Sequence, residues 1–404
     1  MMKIEMKTPL VEIDGDEMTR VIWAMIKERL IEPFVDLNTE YYDLSLENRD
    51  DTDDGVTLEA AKAIQKHGVG IKCATITPDQ TDVQKRGLKK AWPSPNGTIR
   101  AFLDGTVFRK SVMVKNLPPG VRSWKKPITI GRHAYGDIFK NNEMLVPGPG
   151  KLEMTYTPAD GGPVQTLEFD EIKEPTLVST HRNLESSIRS FARACITIAL
   201  DQKIDLWFGC KDTISKTYHG RFRELFCEEV DARKADFDKA GVSYTTRLLI
   251  DDAVARSVRH EGGFLWACMN YEGDLMSDMV GSGFGSLGLM TSVLVSPNGQ
   301  YEFEAAHGTV TRHYEKHLAG EKTSTNPTAT LFAWTGGLAK RGEMDDIPAL
   351  VNFARAIEAS LVETVESGVA TGDLIKSTVP PIEKATTTDD FITEIEKRLR
   401  AKLV

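Results

Sequence analysis

The sequence predicts an α/β protein built on a largely parallel central sheet, and three observations carry that prediction. Short apolar runs alternate with segments of helical period through the first third of the chain. From about Pro147 to Thr180 that alternation gives way to short β-like runs punctuated by Pro and Gly. Helical texture then returns and persists to the C-terminal end.

The elements follow in order. Residues 8–13 (TPLVEI) are apolar enough for a buried first strand, which ends at Asp14-Gly15-Asp16. Residues 17–29 read as an amphipathic helix, 40–44 (EYYDL) as a strand, 58–67 as a helix and 69–76 (VGIKCATI) as a strand. A short strand at 128–130 ends at Arg132. Residues 152–157, 164–169 and 176–179 are β-like and show no helical period, which marks a β-rich excursion suited to a dimer-forming arm. Helices are predicted at 184–200 and 218–229, a strand at 244–250 and a helix at 253–260. Amphipathic helices at 345–365 and 389–402 close the chain. No internal repeat or low-complexity segment is present.

The 404 residues leave room for two or three structural units with ample core. Apolar residues make up 41% and charged residues 27%, the composition of a globular protein. A formal net charge of −9 and a pI near 5.5 argue against nucleic acid as a partner, because that needs a basic face. No apolar run is long enough to span a membrane, and the N-terminal twenty residues resemble neither a signal peptide nor a presequence. The five cysteines, at 73, 195, 210, 227 and 268, show no CxxC spacing and suit reduced thiols. A cytoplasmic protein is expected.

The stretch Ser94–Arg109 (SPNGTIRAFLDGTVFR) is the first candidate site. Arg100 and Arg109 lie nine apart, and Arg132 follows in GRHAYGD. Guanidinium groups grip carboxylates through two parallel hydrogen bonds, which lysine cannot do. Ser94 and Asn96 on a Pro/Gly loop add neutral donors to the same anion. The pattern points to a pocket for a small polycarboxylate; three unrelated surface arginines would read the same by residue type alone.

Asp274 and Asp278 lie four apart, on one face of any helix through YEGDLMSDMVGSGFG. Two adjacent carboxylates repel unless a cation sits between them, although a solvated acidic helix end has the same spacing. Asp251, at the predicted end of an apolar strand, is a plausible third oxygen ligand. Oxygen ligands without His or Cys favour Mg2+ or Mn2+ over zinc. In Glu304–His313 (EAAHGTVTRH), Gly308 allows close backbone approach, and Arg312 and His313 suit a phosphate monoester such as the 2′-phosphate of NADP. Ser324-Thr325-Asn326-Pro327 offers hydrogen-bonding groups for an adenine. The formal GxGxxG at Gly283–Gly288 follows no clear strand and lacks the distal acidic residue, so it reads as a packing stretch, not a Rossmann fingerprint.

With SPNGTIR, GRHAYGD, KDTISKTYHGRF, LIDDAVAR, EGGFLWACMNYEGDLMSD, EAAHGTVTRHY and TSTNP, the chain resembles the isocitrate/isopropylmalate dehydrogenase family, in its NADP-dependent, homodimeric isocitrate branch. The resemblance runs from LVEIDGDEMTR to the C-terminal helices. It implies oxidation and decarboxylation of isocitrate to 2-oxoglutarate with NADP+ and Mg2+ or Mn2+. It implies a large α/β domain from residues 1–103 and 285–404, a small domain from 104–136 and 185–284, and a β-rich clasp at 137–184. Carried over by motif, Thr77, Ser94, Asn96, Arg100, Arg109 and Arg132 would hold the substrate. Asp274 and Asp278 of one subunit and Asp251 of the other would hold the metal. Lys216 would be the catalytic lysine, reaching in from the neighbouring subunit. Lys72, Thr75, Thr77, His307, Gly308, Thr309, Val310, Thr311, Arg312, His313 and Asn326 would line the NADP site, and Arg259 would stand near the 2′-phosphate.

Two departures from the family pattern stand out. Phe139 occupies the position of the tyrosine that donates the final proton, and Asp82 that of a cofactor-binding arginine. Tyr135 or a water would have to replace the first, and Arg86 or the Arg256/Arg259 pair the second. Two alternatives therefore accompany the main reading: a sister β-decarboxylating dehydrogenase acting on isopropylmalate or homoisocitrate, and a catalytically weakened isocitrate-binding paralogue. Ser94 and Asn96 disfavour the sister activity, since an apolar substrate arm would want apolar contacts there.

Overall fold

The computed structural model describes residues 3–403. Its centre is one ten-stranded sheet in the order Tyr244–Leu249, Asp205–Cys210, Phe264–Cys268, Thr129–His133, Thr106–Ser111, Met290–Val295, Tyr301–Ala305, Val69–Lys72, Leu10–Asp14, Thr39–Asp43. The four strands at each end run parallel within their block. Between the blocks, Thr106–Ser111 and Met290–Val295 run antiparallel to both neighbours. The sheet is thus mixed, where sequence alternation predicts it largely parallel. The difference lies in the central pair, which is joined by long excursions of chain and not by strand–helix crossovers.

Strands such as Leu10–Asp14, Val69–Lys72, Thr129–His133 and Phe264–Cys268 are buried at every position, as parallel strands covered by helices on both faces must be. Helices Thr328–Met344 and Pro348–Glu366 pack a core around Trp23, Trp334 and Phe353 on one side of the molecule. A separate aromatic core around Phe191, Phe208, Phe222 and Phe226 lies on the other, beneath helices Glu185–Gln202 and Tyr218–Ala232.

Two strand boundaries differ from the sequence expectation, and both matter for the site. The strand predicted at 69–76 stops at Lys72. Beyond it the chain binds Asp16 instead of a neighbouring strand: the Ile76 amide donates to the Asp16 carboxylate (2.8 Å), and the Asp16 amide donates to the Ala74 carbonyl (2.9 Å). That approach requires Gly15, because a Cβ there would lie 2.0 Å from the Ala74 oxygen. The helix predicted at 253–260 starts instead at Ile250 and ends at Ser257. Asp251 therefore sits in a first helical turn, favoured by the helix dipole, and not at a strand end.

The β-rich segment forms two antiparallel hairpins outside the main sheet: Asp137–Val146 with Thr176–Arg182, and Glu153–Tyr156 with Gln165–Glu168. They are largely uncovered, with Leu145 and Leu177 exposed at 77% and 79%.

Candidate active site

The site is organised by helix Asn270–Gly283, which follows strand Phe264–Cys268 and lies against strand Thr129–His133. Gly273 permits the contact, since a Cβ there would come within 2.7 Å of the Arg132 side chain and 3.2 Å of its Cα. Asn270, Asp274, Ser277 and Asp278 share one face of the helix. Arg132 Nε donates to Asn270 Oδ1 (2.9 Å), and its Nη1 pairs with the Asp274 carboxylate. Arg109 Nη1 donates to Ser277 Oγ (2.8 Å) and lies 3.7 Å from Asp278 Oδ1. Arg100, on helix Pro95–Leu103, donates to Glu304 Oε1 at 2.5 Å. All three guanidinium-bearing residues are buried.

The sheet register accounts for the third pair. Arg109, Ser292, Glu304 and Lys72 are cross-strand neighbours in one row over four strands. Burial works against Arg100's charge, but Glu304 beside it raises its pKa. Arg109 and Arg132 fare differently. Burial, and then repulsion from Arg100, lowers both, Arg132 to about 9. Arg109 and Arg132 are thus desolvated and short of negative charge beside a third cation, the condition under which a polyanion binds.

A cavity of about 610 Å3 opens beside them, lined by Ser94, Gly97, Arg100, Arg132, Tyr135, Phe139 and Asn270 among others. Ser94 is the N-cap of helix Pro95–Leu103 and makes no capping bond with its side chain. Asn96 Oδ1 is buried and has no hydrogen-bond partner among the described residues. Phe139 is 51% exposed, its ring 4.9 Å from the Arg132 guanidinium carbon, a cation–π contact. Thr77 is exposed on the loop after Val69–Lys72.

A second cavity, about 810 Å3, is lined by His307, Gly308, Val310, His313 and Asn326, together with Lys316 and Lys322. His313 Nδ1 lies 2.8 Å from Thr325 Oγ1, and Asn326 Nδ2 donates to Asp373 (3.0 Å). Thr309 and Thr311 turn their hydroxyls the other way, to Glu17 Oε2 at 2.5 and 2.6 Å. Val310 has φ +62°, a region that β-branched residues rarely occupy, which strains the loop at this cavity. Lys72 is fully buried and donates to the Cys73 carbonyl (2.9 Å) and Thr75 Oγ1 (3.0 Å); burial lowers its pKa against the pull of Glu304 and Glu302.

The model of the isocitrate/isopropylmalate dehydrogenase family matches residues 5–395. A mitochondrial NADP isocitrate dehydrogenase of Saccharomyces cerevisiae is 49% identical, over 99% of this chain and 95% of that protein. One from Sphingobium yanoikuyae is 50% identical over 100% and 99%, and isocitrate dehydrogenase [NADP] 1 of Mycobacterium tuberculosis 48% over 99% and 98%. The chain belongs to the isocitrate/isopropylmalate dehydrogenase family.

Several residues that the family pattern singles out stand apart from the two cavities in this single chain. Lys216 and Arg259 are exposed. Asp251 is exposed and pairs with Lys211 Nζ at 2.7 Å, which holds its carboxyl below the usual range. Among the described residues no group of three His, Cys, Asp or Glu side chains converges to hold a metal. Arg312 is exposed on helix Thr311–Leu318 and is not part of the second cavity's lining.

Asp82 has a local reason. It closes a capping box at the start of helix Gln80–Arg86, with Asp79 Oδ1 accepting from the Asp82 amide (2.8 Å) and Asp82 Oδ2 from the Asp79 amide (3.1 Å). Arg86 lies between Glu17 (3.6 Å), Asp82 (3.7 Å) and Glu47 (4.0 Å), so any role at a phosphate means leaving three carboxylates. The GxGxxG stretch is the end of helix Asn270–Gly283 and a turn of 3-10 helix, Leu287–Leu289.

Sequence reading gives no role to Asn270, Ser277 or Glu304, which hold the three arginines. The signal for the first two was available, because Asn270, Asp274 and Ser277 repeat at helical spacing.

Proposed function

We propose that this protein oxidises and decarboxylates isocitrate to 2-oxoglutarate and CO2 while reducing NADP+, the activity named for its relatives. The observation that carries the reading is the convergence of Arg100, Arg109 and Arg132 on carboxylates of the protein itself. A substrate with three carboxylates offers those arginines the charge they lack. Ser94, Asn96 and Thr77 supply neutral donors around it.

Asp274 and Asp278 fit a divalent cation. They are hard oxygen donors one helical turn apart, and burial raises the pKa of Asp278, with Asp274 adding to the rise against Arg109. We assign Mg2+ or Mn2+ there, completed by Asp251 of a second subunit. A cation held there would supply Lewis-acid polarisation of the substrate's oxygens, and NADP+ would supply the hydride acceptor. Lys216, also from the second subunit, receives the hydroxyl proton at Nζ. Phe139 has no proton to give, and Tyr135, on the same cavity wall, delivers the last one. The second cavity takes the cofactor: His307, Gly308, Val310, His313 and Asn326 line it, Thr309 and Thr311 brace that loop on Glu17, Lys72, Thr75 and Thr77 are assigned to the same cofactor, and Arg312 with Arg259 selects for the 2′-phosphate.

The division into a large domain (1–103, 285–404), a small domain (104–136, 185–284) and a clasp (137–184) is part of this reading, supported by the separate cores. So is the homodimer, supported by the exposed apolar clasp and by Ile214, 78% exposed next to Lys216. The five free, buried cysteines suit a reducing compartment, and we place the protein in the cytoplasm.

NADPH formation tests the proposal, measured with isocitrate, with isopropylmalate and without substrate, each with and without EDTA. Isocitrate-dependent, EDTA-sensitive NADPH is expected; none with isocitrate, or more with isopropylmalate, would refute it.

A further inference from the structure

A third cavity, about 560 Å3, lies on the reverse face of the sheet. Three strands form both its floor and the front-face site. Side chains alternate across a strand, and the register is explicit. On the front, Ser292 pairs with Arg109 and with Glu304; on the rear, Val293 pairs with Phe303, and Thr291 with Lys110. Helix residues from both main cores close the walls, Ile198 from Glu185–Gln202 and Phe332 from Thr328–Met344. An occupant would therefore touch both halves of the molecule.

The floor is apolar, from Val293, Val295 and Phe303, with Phe332 facing it from the wall. Three cations and two carboxylates line the cavity, one positive charge in excess. Lys340 pairs with Glu343 (3.0 Å) and Arg355 with Glu358 (2.8 Å). Lys110 has no carboxylate partner among the described residues, and the protein around it lowers its pKa by desolvation alone. An apolar floor with one unpaired cation at its edge, at a volume typical of ligand sites, matches an amphipathic anion.

We propose that this cavity is an effector site for a single-headed amphipathic carboxylate. Its hydrocarbon body would lie on Val293, Phe303 and Phe332 and its carboxylate on Lys110, and filling the cavity would change isocitrate affinity. The coupling is steric: close-packed strands cannot shift Val293 and Phe303 without moving Ser292, the cross-strand neighbour of Arg109, and Glu304, the partner of Arg100. The effect on isocitrate rests on the proposed function; binding does not, so the two can fail separately.

The test uses octanoate as the probe and anilinonaphthalene sulfonate fluorescence as the reporter, on the full-length protein. Octanoate should displace the dye saturably, and Lys110→Met should weaken it about tenfold while octan-1-ol binds both proteins alike. Lys110 is the exposed position of its strand, and a melting curve checks that the Lys110→Met variant is folded. Val293→Phe, which fills the floor, should remove both ligands, with circular dichroism and the melting curve as controls. Saturating octanoate should shift the isocitrate KM about fivefold or more in the wild type and not in Val293→Phe. Absent displacement, equal displacement in all three proteins, or bound octanoate with unchanged isocitrate KM would each overturn the proposal.

Discussion

Replacing Arg132 by His tests the heart of the site. In the free protein the guanidinium spends Nε on Asn270 and Nη1 on Asp274, and packs on the Phe139 ring. Its remaining edge reaches the cavity that also holds Arg100 and Ser94. A charged hydrogen bond to a substrate carboxylate is worth about 1.5–3 kcal/mol, which corresponds to about a 10- to 150-fold loss of kcat/KM for isocitrate. Stability should change less. Burial and Arg100 already hold the Arg132 pKa down to about 9, so removing that charge relieves strain while Asp274 loses a partner. Initial rates of NADPH formation across isocitrate concentration, beside a melting curve, separate the two effects. Arg132→Lys is the companion variant: it keeps the charge but loses the fork, and should sit between wild type and His. A kcat/KM for Arg132→His within about twofold of wild type would refute the assignment of Arg132 to the substrate.

Four further outcomes follow from the same geometry. Phe139→Tyr should raise kcat and Tyr135→Phe should lower it by about 10²–10⁴; steady-state rates check both, and no change in either removes Tyr135 as the donor. Gly273→Ala drives a Cβ to 2.7 Å from the Arg132 side chain, so it should destabilise by about 1–3 kcal/mol in urea melts and raise isocitrate KM despite alanine's better helix propensity. Burial raises the folded pKa of Asp278 above 3.8. In that window the native state holds the extra proton, so the metal-free protein should lose stability as pH rises through it, and Mn2+ affinity should fall as pH drops; a melting temperature flat over that range in metal-free protein would contradict this. Arg312→Ala should narrow the preference for NADP over NAD, read as the ratio of kcat/KM values; an unaltered ratio refutes its role.

The fold was legible where apolar runs stand alone between turns, as at 8–13 and 40–44 and in the first half of 69–76. It was less legible in the sheet's centre. Thr106–Ser111 and Phe264–Cys268 are buried on nearly every position and show no period of two. Met290–Val295 alternates in burial but not in polarity, because Thr291, Val293 and Val295 line the rear cavity. The clasp strand Asp137–Val146 escapes because an uncovered hairpin needs no apolar face. At the site, arginine type and aspartate spacing are readable because each carries its chemistry alone. Glu304 is not, since its role depends on a tertiary contact between a strand and helix Pro95–Leu103 that joins residues 204 apart in sequence.

Helix–strand contacts of this kind leave every substrate arginine occupied before substrate arrives. Arg132 holds Asp274, Arg109 lies near Asp278, and Arg100 holds Glu304. A carboxylate ligand entering alone must displace aspartates that then have no counter-charge, and a cation entering alone must strip aspartates from arginines that are already short of negative charge. The second half-step leaves buried guanidinium charge unpaired, which costs several kcal/mol, while the first leaves two half-exposed carboxylates facing each other. Entering together, they exchange partners at Arg109 and Arg132, where the ligand takes the arginines and the cation takes Asp274 and Asp278, while Glu304 keeps Lys72 and Arg100 beside it. Arg132→His breaks this reciprocity from one side. It releases Asp274, so Mn2+ without isocitrate should bind more tightly than to wild type, while isocitrate loses its dependence on Mn2+ in part. A calorimetric titration with metal alone decides it, and weaker or equal Mn2+ binding in the variant would show that the arginines and aspartates are not competing for the same charge.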